Sequence, residues 1–205
     1  MLLPTIARGA SAEVEISRSR FIATAHRIAS LDELAPLVRD ARRAHPDSRH
    51  VCSAAIVGAH GESSRSNDDG EPAGTAGSPI LSAIAGRGLT DVAVLVVRWF
   101  GGVKLGTGGL VRAYGGIAAD ALDVAGRLER VAATELVARL PHADAPRLEH
   151  AIRAAGHEPT IDYEATDARL AIVVEDARRA EADALLAQLG IAAEATGTRV
   201  LEVPA

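Results

Sequence analysis

Hydrophobic and polar positions alternate in two short runs between residues 14 and 28. Val14 and Ile16 alternate with Glu13 and Glu15, Ser17-Arg18-Ser19 interrupts, and Phe21, Ala23 and Ala25 alternate up to His26. Period-two alternation predicts two half-buried strands. Ser30 followed by Glu33 is a capping-box pattern and predicts a helix over 31–44, with Leu34, Leu37, Val38 and Ala41 inward. Pro36 is placed beyond the first turn of that helix, where the loss of a backbone donor should bend it. Residues 51–57 read as a third strand. Residues 58–77 contain no apolar run and predict a loop of about 20 residues, long enough to carry function. Ser78-Pro79 has the form of an N-cap followed by proline at the first helical position, opening a short helix that ends near Gly86 or Gly88. Val92, Val94, Leu95, Val96 and Val97 make 91–99 the strongest strand of the chain. A glycine loop follows, then a helix over 110–125 whose Ala113, Gly116 and Ala119 allow close packing on a sheet.

Residues 126–130 are charged and lack apolar periodicity, which places a domain boundary there. Beyond it the pattern predicts a strand (133–140), a helix (145–155), strands (159–165 and 169–174), a helix (177–189) and a strand (198–203). This β-α-β-β-α-β order is the ferredoxin-like plan.

Composition narrows the class. The 205 residues are 48% apolar, enough for one large domain or two small ones, and 24% charged, ordinary for a soluble protein. The net charge of −5 argues against a generally adhesive nucleic-acid binder, but it is unevenly spread. Through Arg130 there are 15 Lys and Arg against 14 Asp and Glu, a net of +1; from Val131 on there are 7 against 13, a net of −6. A polyanion should therefore meet the first half. Cys52 is the sole cysteine, so no intramolecular disulfide can form. The N-terminus has neither a basic region nor a long apolar run, and no segment approaches the roughly 20 apolar residues of a membrane span. The expectation is a cytoplasmic soluble protein without a membrane partner.

Candidate chemistry concentrates between Val96 and Gly116. This stretch holds the only Trp, the only Lys, one of two Phe, one of two Tyr and seven of 19 glycines. No acidic residue occurs from Val92 to Ala119, whereas Arg98, Lys104 and Arg112 are cationic. A Walker loop needs Lys-Ser or Lys-Thr directly after its last glycine, but Thr107-Gly108 follows Gly106 and the lysine precedes it. The Rossmann spacing fails because Val111 stands where the third glycine should be. What remains is a strand end, a glycine turn and a helix N-terminus, which presents free N–H groups to an anion or packs tightly on its own sheet. In the first case Gly106, Thr107, Gly108 and Gly109 are backbone donors and Arg98 and Arg112 phosphate contacts, with Lys104 secondary. Trp99, Phe100 and Tyr114 form either a base-stacking platform or a lid on the core.

A second cluster, Asp68, Asp69 and Glu71, lacks EF-hand spacing and is explained by turn chemistry in Asp69-Gly70 and Glu71-Pro72. His45, His50 and Cys52 do not complete the three or four ligands zinc requires. Neither a Gly-x-Ser-x-Gly elbow nor a His-Glu-x-x-His helix is present. No catalytic residue, metal or cofactor is expected.

Asp68-Asp69-Gly70-Glu71-Pro72-Ala73-Gly74-Thr75-Ala76-Gly77, Val97-Arg98-Trp99-Phe100-Gly101-Gly102 and Leu105-Gly106-Thr107-Gly108-Gly109-Leu110-Val111-Arg112-Ala113-Tyr114 resemble the signature of the YigZ/IMPACT family in its bacterial two-domain form. His45-Pro46-Asp47 with His50 and Cys52 resembles the family's N-terminal pattern. The resemblance implies an α+β protein. Residues 1–128 would form an IMPACT-type domain, an α/β sandwich like domain 2 of a small-subunit ribosomal protein and domain IV of elongation factor G. Residues 129–205 would form a ferredoxin-like domain like domain V of that factor. It further implies a non-enzymatic, translation-associated regulator that binds RNA or the ribosome, with no sequence-specific DNA partner. Eukaryotic members regulate translation through an additional domain that is not expected here, so their partner is not carried over. The alternative is an enzyme or sensor for a small phosphorylated ligand or nucleotide, built from Gly101–Gly109 with Asp68, Asp69 and Glu71. That alternative requires the two segments to meet in one pocket, and the RNA expectation weakens if both Arg98 and Arg112 are locked in ion pairs.

Overall fold

Alternating burial organises the first half around one antiparallel sheet. Strands β1 (Thr5–Ile6), β2 (Ala10–Ile16) and β3 (Ser19–Arg27) are followed by helix α1 (Leu34–Ala44), β4 (His50–Val57), β5 (Ser63–Asn67), α2 (Gly77–Gly86), β6 (Val92–Trp99) and α3 (Gly106–Ala125). The sheet order is β2-β3-β6-β4-β5, antiparallel throughout. The computed structural model describes residues 2–205, and the chain parts into two compact units between Glu129 and Arg130, with Pro204–Ala205 belonging to the first.

Central strands β4 and β6 are buried on both faces, which explains their continuous apolar runs. One face carries Phe21, Ala23, Ala25, Cys52, Ala54, Ile56, Val92, Val94 and Val96 beneath α2 and α3. The other carries Val51, Ala55, Val57, Ala93, Leu95 and Val97, covered by Leu34, Leu37, Val38 and Ala41 of α1. Pro36 does not sit in a helix interior. Leu31–Glu33 forms a 3-10 turn, so Pro36 is the third residue of α1, inside the first turn, where a missing donor is tolerated. The Glu33 carboxylate accepts from the amides of Ala29 and Ser30, as the capping pattern requires.

Three expectations need correcting. The segment 58–77 is not all loop: Ser63–Asn67 forms the edge strand β5 against β4. Every residue of it is exposed, so no burial imposes apolar alternation. Helix α2 is not capped by Ser78, which lies within it; the Asp68 carboxylate supplies the cap. Helix α3 begins at Gly106, so the last glycines of the supposed loop are its first turn.

The second unit contains most of β7 (Arg127–Leu140), α4 (Ala145–Ala154), β8 (Thr160–Tyr163), β9 (Ala168–Glu175), α5 (Arg179–Gln188) and β10 (Glu194–Pro204). β9 pairs antiparallel with β7 on one side and β8 on the other, and β10 also pairs with β7. Leu136, Ala138 and Leu140 with Leu170, Ile172 and Val174 turn one face toward Leu148 and Ile152 of α4 and Leu186 of α5. The protein is thus a mixed α/β structure whose strands form two sheets. No helix among the described residues is long and apolar enough to cross a membrane.

Candidate functional site

Strand register sets the floor of the site. Arg98 lies opposite Phe21 of β3 and His50 of β4. The next row on this face is Ala23, Val96 and Cys52, and the one after is Ala25, Val94 and Ala54. Two apolar rows therefore end in a polar one, and Arg98 is carried into the interior by the same period that buries Val94 and Val96. Its side chain is 6% exposed, and its Nη1 donates to Glu71 Oε1 at 2.5 Å. The Tyr114 hydroxyl of α3 donates to the same oxygen at 2.7 Å. Arg98 Nη2 donates to Ser19 Oγ at 3.3 Å, and Ser19 Oγ also accepts from the Gly101 amide at 3.2 Å. The guanidinium lies 5.3 Å from the Phe21 ring centre and 5.7 Å from that of Phe100, and its Nε has no hydrogen-bond partner.

The acidic segment approaches from the other side. Burial pushes the Asp68 carboxyl upward in pKa, but the amides of Gly74, Gly77 and Ala76 outweigh it and hold the group below the ordinary Asp value. These bonds place a negative charge at the N-terminus of α2, where the helix dipole favours it. Asp69 adopts φ +46° and accepts from the Val51 amide at 2.6 Å while pairing with Arg42. The His50 ring bonds through Nδ1 to the Asp69 carbonyl at 2.8 Å, which leaves Nε2 3.9 Å from Glu71 Oε1. Cys52 is fully buried and donates to the Asp68 carbonyl at 3.0 Å; burial pushes its thiol up to about 12. A thiol so held stays protonated and is no nucleophile at neutral pH. Among the described residues no group of three His, Cys, Asp or Glu side chains is placed to hold a metal ion.

Above this floor is a cleft of about 390 Å³. Gly70, Glu71 and Pro72 of the acidic segment line it together with Lys104, Leu105, Gly106 and Thr107 of the glycine segment and with Arg49, His50, Arg98 and Phe100. The two sequence clusters therefore meet in one pocket.

The Impact N-terminal domain family model matches residues 17–122, just over half of the chain. The chain belongs to the IMPACT family. IMPACT family member YvyE of Bacillus subtilis is 39% identical over 126 residues, covering 62% of this chain and 58% of YvyE. IMPACT family member YigZ of Escherichia coli is 46% identical over 104 residues, covering 50% of this chain and 51% of YigZ. The match thus spans little more than half the length of these two curated relatives. A solved crystal structure of a hypothetical protein is 32% identical with a TM-score of 0.62, covering 96% of this chain and 98% of that one.

Within the IMPACT-type unit the two arginines part company. Arg98 is engaged by Glu71, so its charge is already neutralised in the floor. Arg112 is exposed, and its guanidinium lies near Gly108, beside the first turn of α3. Lys104, Gly106, Thr107 and Gly108 are exposed and Gly109 half-buried. Asp68 and Asp69 are engaged with backbone amides rather than presented to the cleft. Tyr114 and Phe21 belong to the core, edge to face at 5.4 Å. Trp99 packs on the α1 side, against His45 and beneath Arg20. Sequence reasoning missed Ser19 and Arg49. The β3-β6-β4 register is the signal that finds them, since Ser19 precedes the Arg20–Trp99 pair and Arg49 precedes the His50–Arg98 pair.

Proposed function

We propose that this protein is a non-enzymatic, translation-associated regulator that binds RNA or the ribosome through the strand-loop-helix corner at Val97–Arg112. The observation that carries the proposal is the cleft itself, whose lining includes cations without carboxylate partners while its one carboxylate, Glu71, is already paired with Arg98. Arg49 and Lys104 line it, Arg112 stands beside the α3 N-terminus, and these three side chains have no carboxylate partner among the described residues. All three suit phosphate contacts, and the amides of Gly106, Thr107 and Gly108, which precede the first intrahelical bond of α3, suit an anion. Arg98 takes a supporting part, because its pairing with Glu71 fixes the floor on which Phe100 stands.

Under this proposal the units are like domains IV and V of elongation factor G. The β-α-β-β-α-β order of the second unit, with β7 between β9 and β10, supports the ferredoxin-like assignment. The cytoplasm is where such a partner would be met. A second reading, a sensor of a small phosphorylated ligand, is favoured by one observation: Gly70–Pro72 and Lys104–Thr107 enclose a space of small-molecule size.

Filter binding of single-stranded RNA and of ribosomes across salt concentrations tests the proposal. Three phosphate contacts predict a log–log slope of about −2, and each of Arg49→Ala, Lys104→Ala and Arg112→Ala should reduce it by about 0.7. Absence of RNA and ribosome association at low salt would remove the proposal.

A further inference from the structure

We infer that the cleft is a subsite for a single nucleotide unit, with its base stacked on Phe100 and its phosphate held by Lys104 and Arg49. The inference deepens the proposed binding role and rests on the same cleft. Three observations carry it, the first being Phe100 itself. It is 42% exposed in a chain whose other phenylalanine is fully buried, and it lines the cleft. Its exposed ring offers an aromatic face to a planar ligand at a site that also carries cations.

The second is what fixes Phe100. The Arg98 guanidinium lies 5.7 Å from the Phe100 ring centre and is itself held by Glu71 and Ser19. Arg98 is 5% exposed, so this support is a built part of the interior and not a mobile surface cation. A ring supported by a pinned guanidinium is a preorganised stacking surface, and every base has a face to lay on it.

The third is the distribution of charge. Glu71 is neutralised by Arg98 and bonded by Tyr114, so the lining retains the unpartnered cations Arg49 and Lys104 and the exposed backbone of Gly106 and Thr107. An apolar stacking surface beside cations suits a flat aromatic group joined to an anion. About 390 Å³ is within the range of small-molecule sites and accommodates one such unit. The unit comes either from an RNA strand or from a free nucleotide, and the chemistry at the cleft is the same.

The test uses the full chain in calorimetric titration with AMP, UMP, ribose 5-phosphate, adenosine and a single-stranded pentaribonucleotide. Wild-type protein should bind AMP or the pentanucleotide at least about tenfold more tightly than ribose 5-phosphate, the stacking increment expected for one base. Phe100→Leu, which keeps apolar bulk but removes the aromatic face, should lose that increment and leave ribose 5-phosphate unchanged. Lys104→Ala and Arg49→Ala should weaken the nucleotides and leave adenosine unchanged. A Phe100→Trp variant in a Trp99→Phe background should show fluorescence quenching on binding, a signature of stacking.

Binding of AMP identifies a free nucleotide as sufficient. Binding of the pentanucleotide alone, with the same Phe100 dependence, identifies a strand. Nucleotide or RNA binding that Phe100→Leu does not alter overturns the inference and leaves the RNA proposal standing. Phe100-dependent AMP binding without any RNA or ribosome association does the reverse. No binding of AMP, UMP or the pentanucleotide at low salt overturns the inference.

Discussion

Glu71→Gln isolates the charge of the buried network. Glutamine keeps the volume of glutamate and an acceptor for the Tyr114 hydroxyl, so the substitution chiefly removes the negative charge facing Arg98. The two side chains are 6% and 3% exposed, and no other carboxylate is bonded to the guanidinium among the described residues. At a charge separation of about 4 Å and an effective dielectric of about 20, the lost attraction is about 4 kcal/mol. Breaking buried pairs from one side costs about 3–5 kcal/mol, the same range. We therefore expect Glu71→Gln to destabilise the first unit by about 4 kcal/mol and to lower its melting temperature by roughly 15 °C. Urea unfolding followed by Trp99, the only tryptophan, reports on this unit. Removing both charges together should be far milder. A Glu71→Met, Arg98→Met, Tyr114→Phe triple variant should lie within about 2 kcal/mol of wild type, because no charged group is left buried without a partner. A loss below about 1 kcal/mol for Glu71→Gln, the scale of a surface ion pair, would refute the argument.

Two further outcomes follow from neighbouring residues. Asp68 has a pKa depressed in the folded state from its ordinary 3.8, so its contribution to stability is complete above about pH 4 and fades as pH falls through the depressed value. Asp68→Asn should cost about 1–2 kcal/mol at pH 7 and flatten the acid limb of stability against pH; an unchanged acid limb would show that the cap carries no titrating charge. At Gly101 an added Cβ would lie 1.9 Å from the Arg18 carbonyl oxygen, so Gly101→Ala must move the β2–β3 turn and should cost about 1–3 kcal/mol. Chemical denaturation and the amide resonances of Arg18 and Ser19 would report it, and unchanged stability with unchanged resonances would contradict the close approach.

Strands β4 and β6 were legible because burial on both faces leaves a short apolar run, which its length of eight residues and, in β6, its valines mark as strand. The start of α3 was not, because Gly106, Gly108 and Gly109 are poor helix formers and their turn is stabilised by context instead of propensity. Strand β5 escaped for a related reason: an exposed edge imposes no pattern, so Ser63-Ser64-Arg65-Ser66-Asn67 carries none. The cap of α2 comes from Asp68, eight and nine residues before the amides it accepts, whereas local capping rules look for a side chain at the helix start. For the site, the sequence brought out Arg98, Glu71 and the glycines and left open whether the arginines meet those acids or a ligand; it could not say which arginine pairs with which acid. That pairing depends on register between β6 and β4 and on the path of the Asp68–Pro72 turn. The contrast between the engaged Arg98 and the exposed Arg112 was equally invisible, since residues of the same type 14 positions apart carry no label of burial.

The closed floor also bears on how such a protein changes over generations. Glu71, Arg98, Tyr114 and Ser19 are bonded to one another, so loss of either charged member leaves the other buried without its partner until a second change removes it. A single step that strands a buried charge in the floor therefore costs stability, as Glu71→Gln is expected to do. Arg49, Phe100 and Lys104 stand at the cleft without belonging to that mutual arrangement, and each can be exchanged while the fold persists. Descendants of one ancestral chain can therefore acquire different ligands by altering the rim, with the same pinned guanidinium beneath each of them.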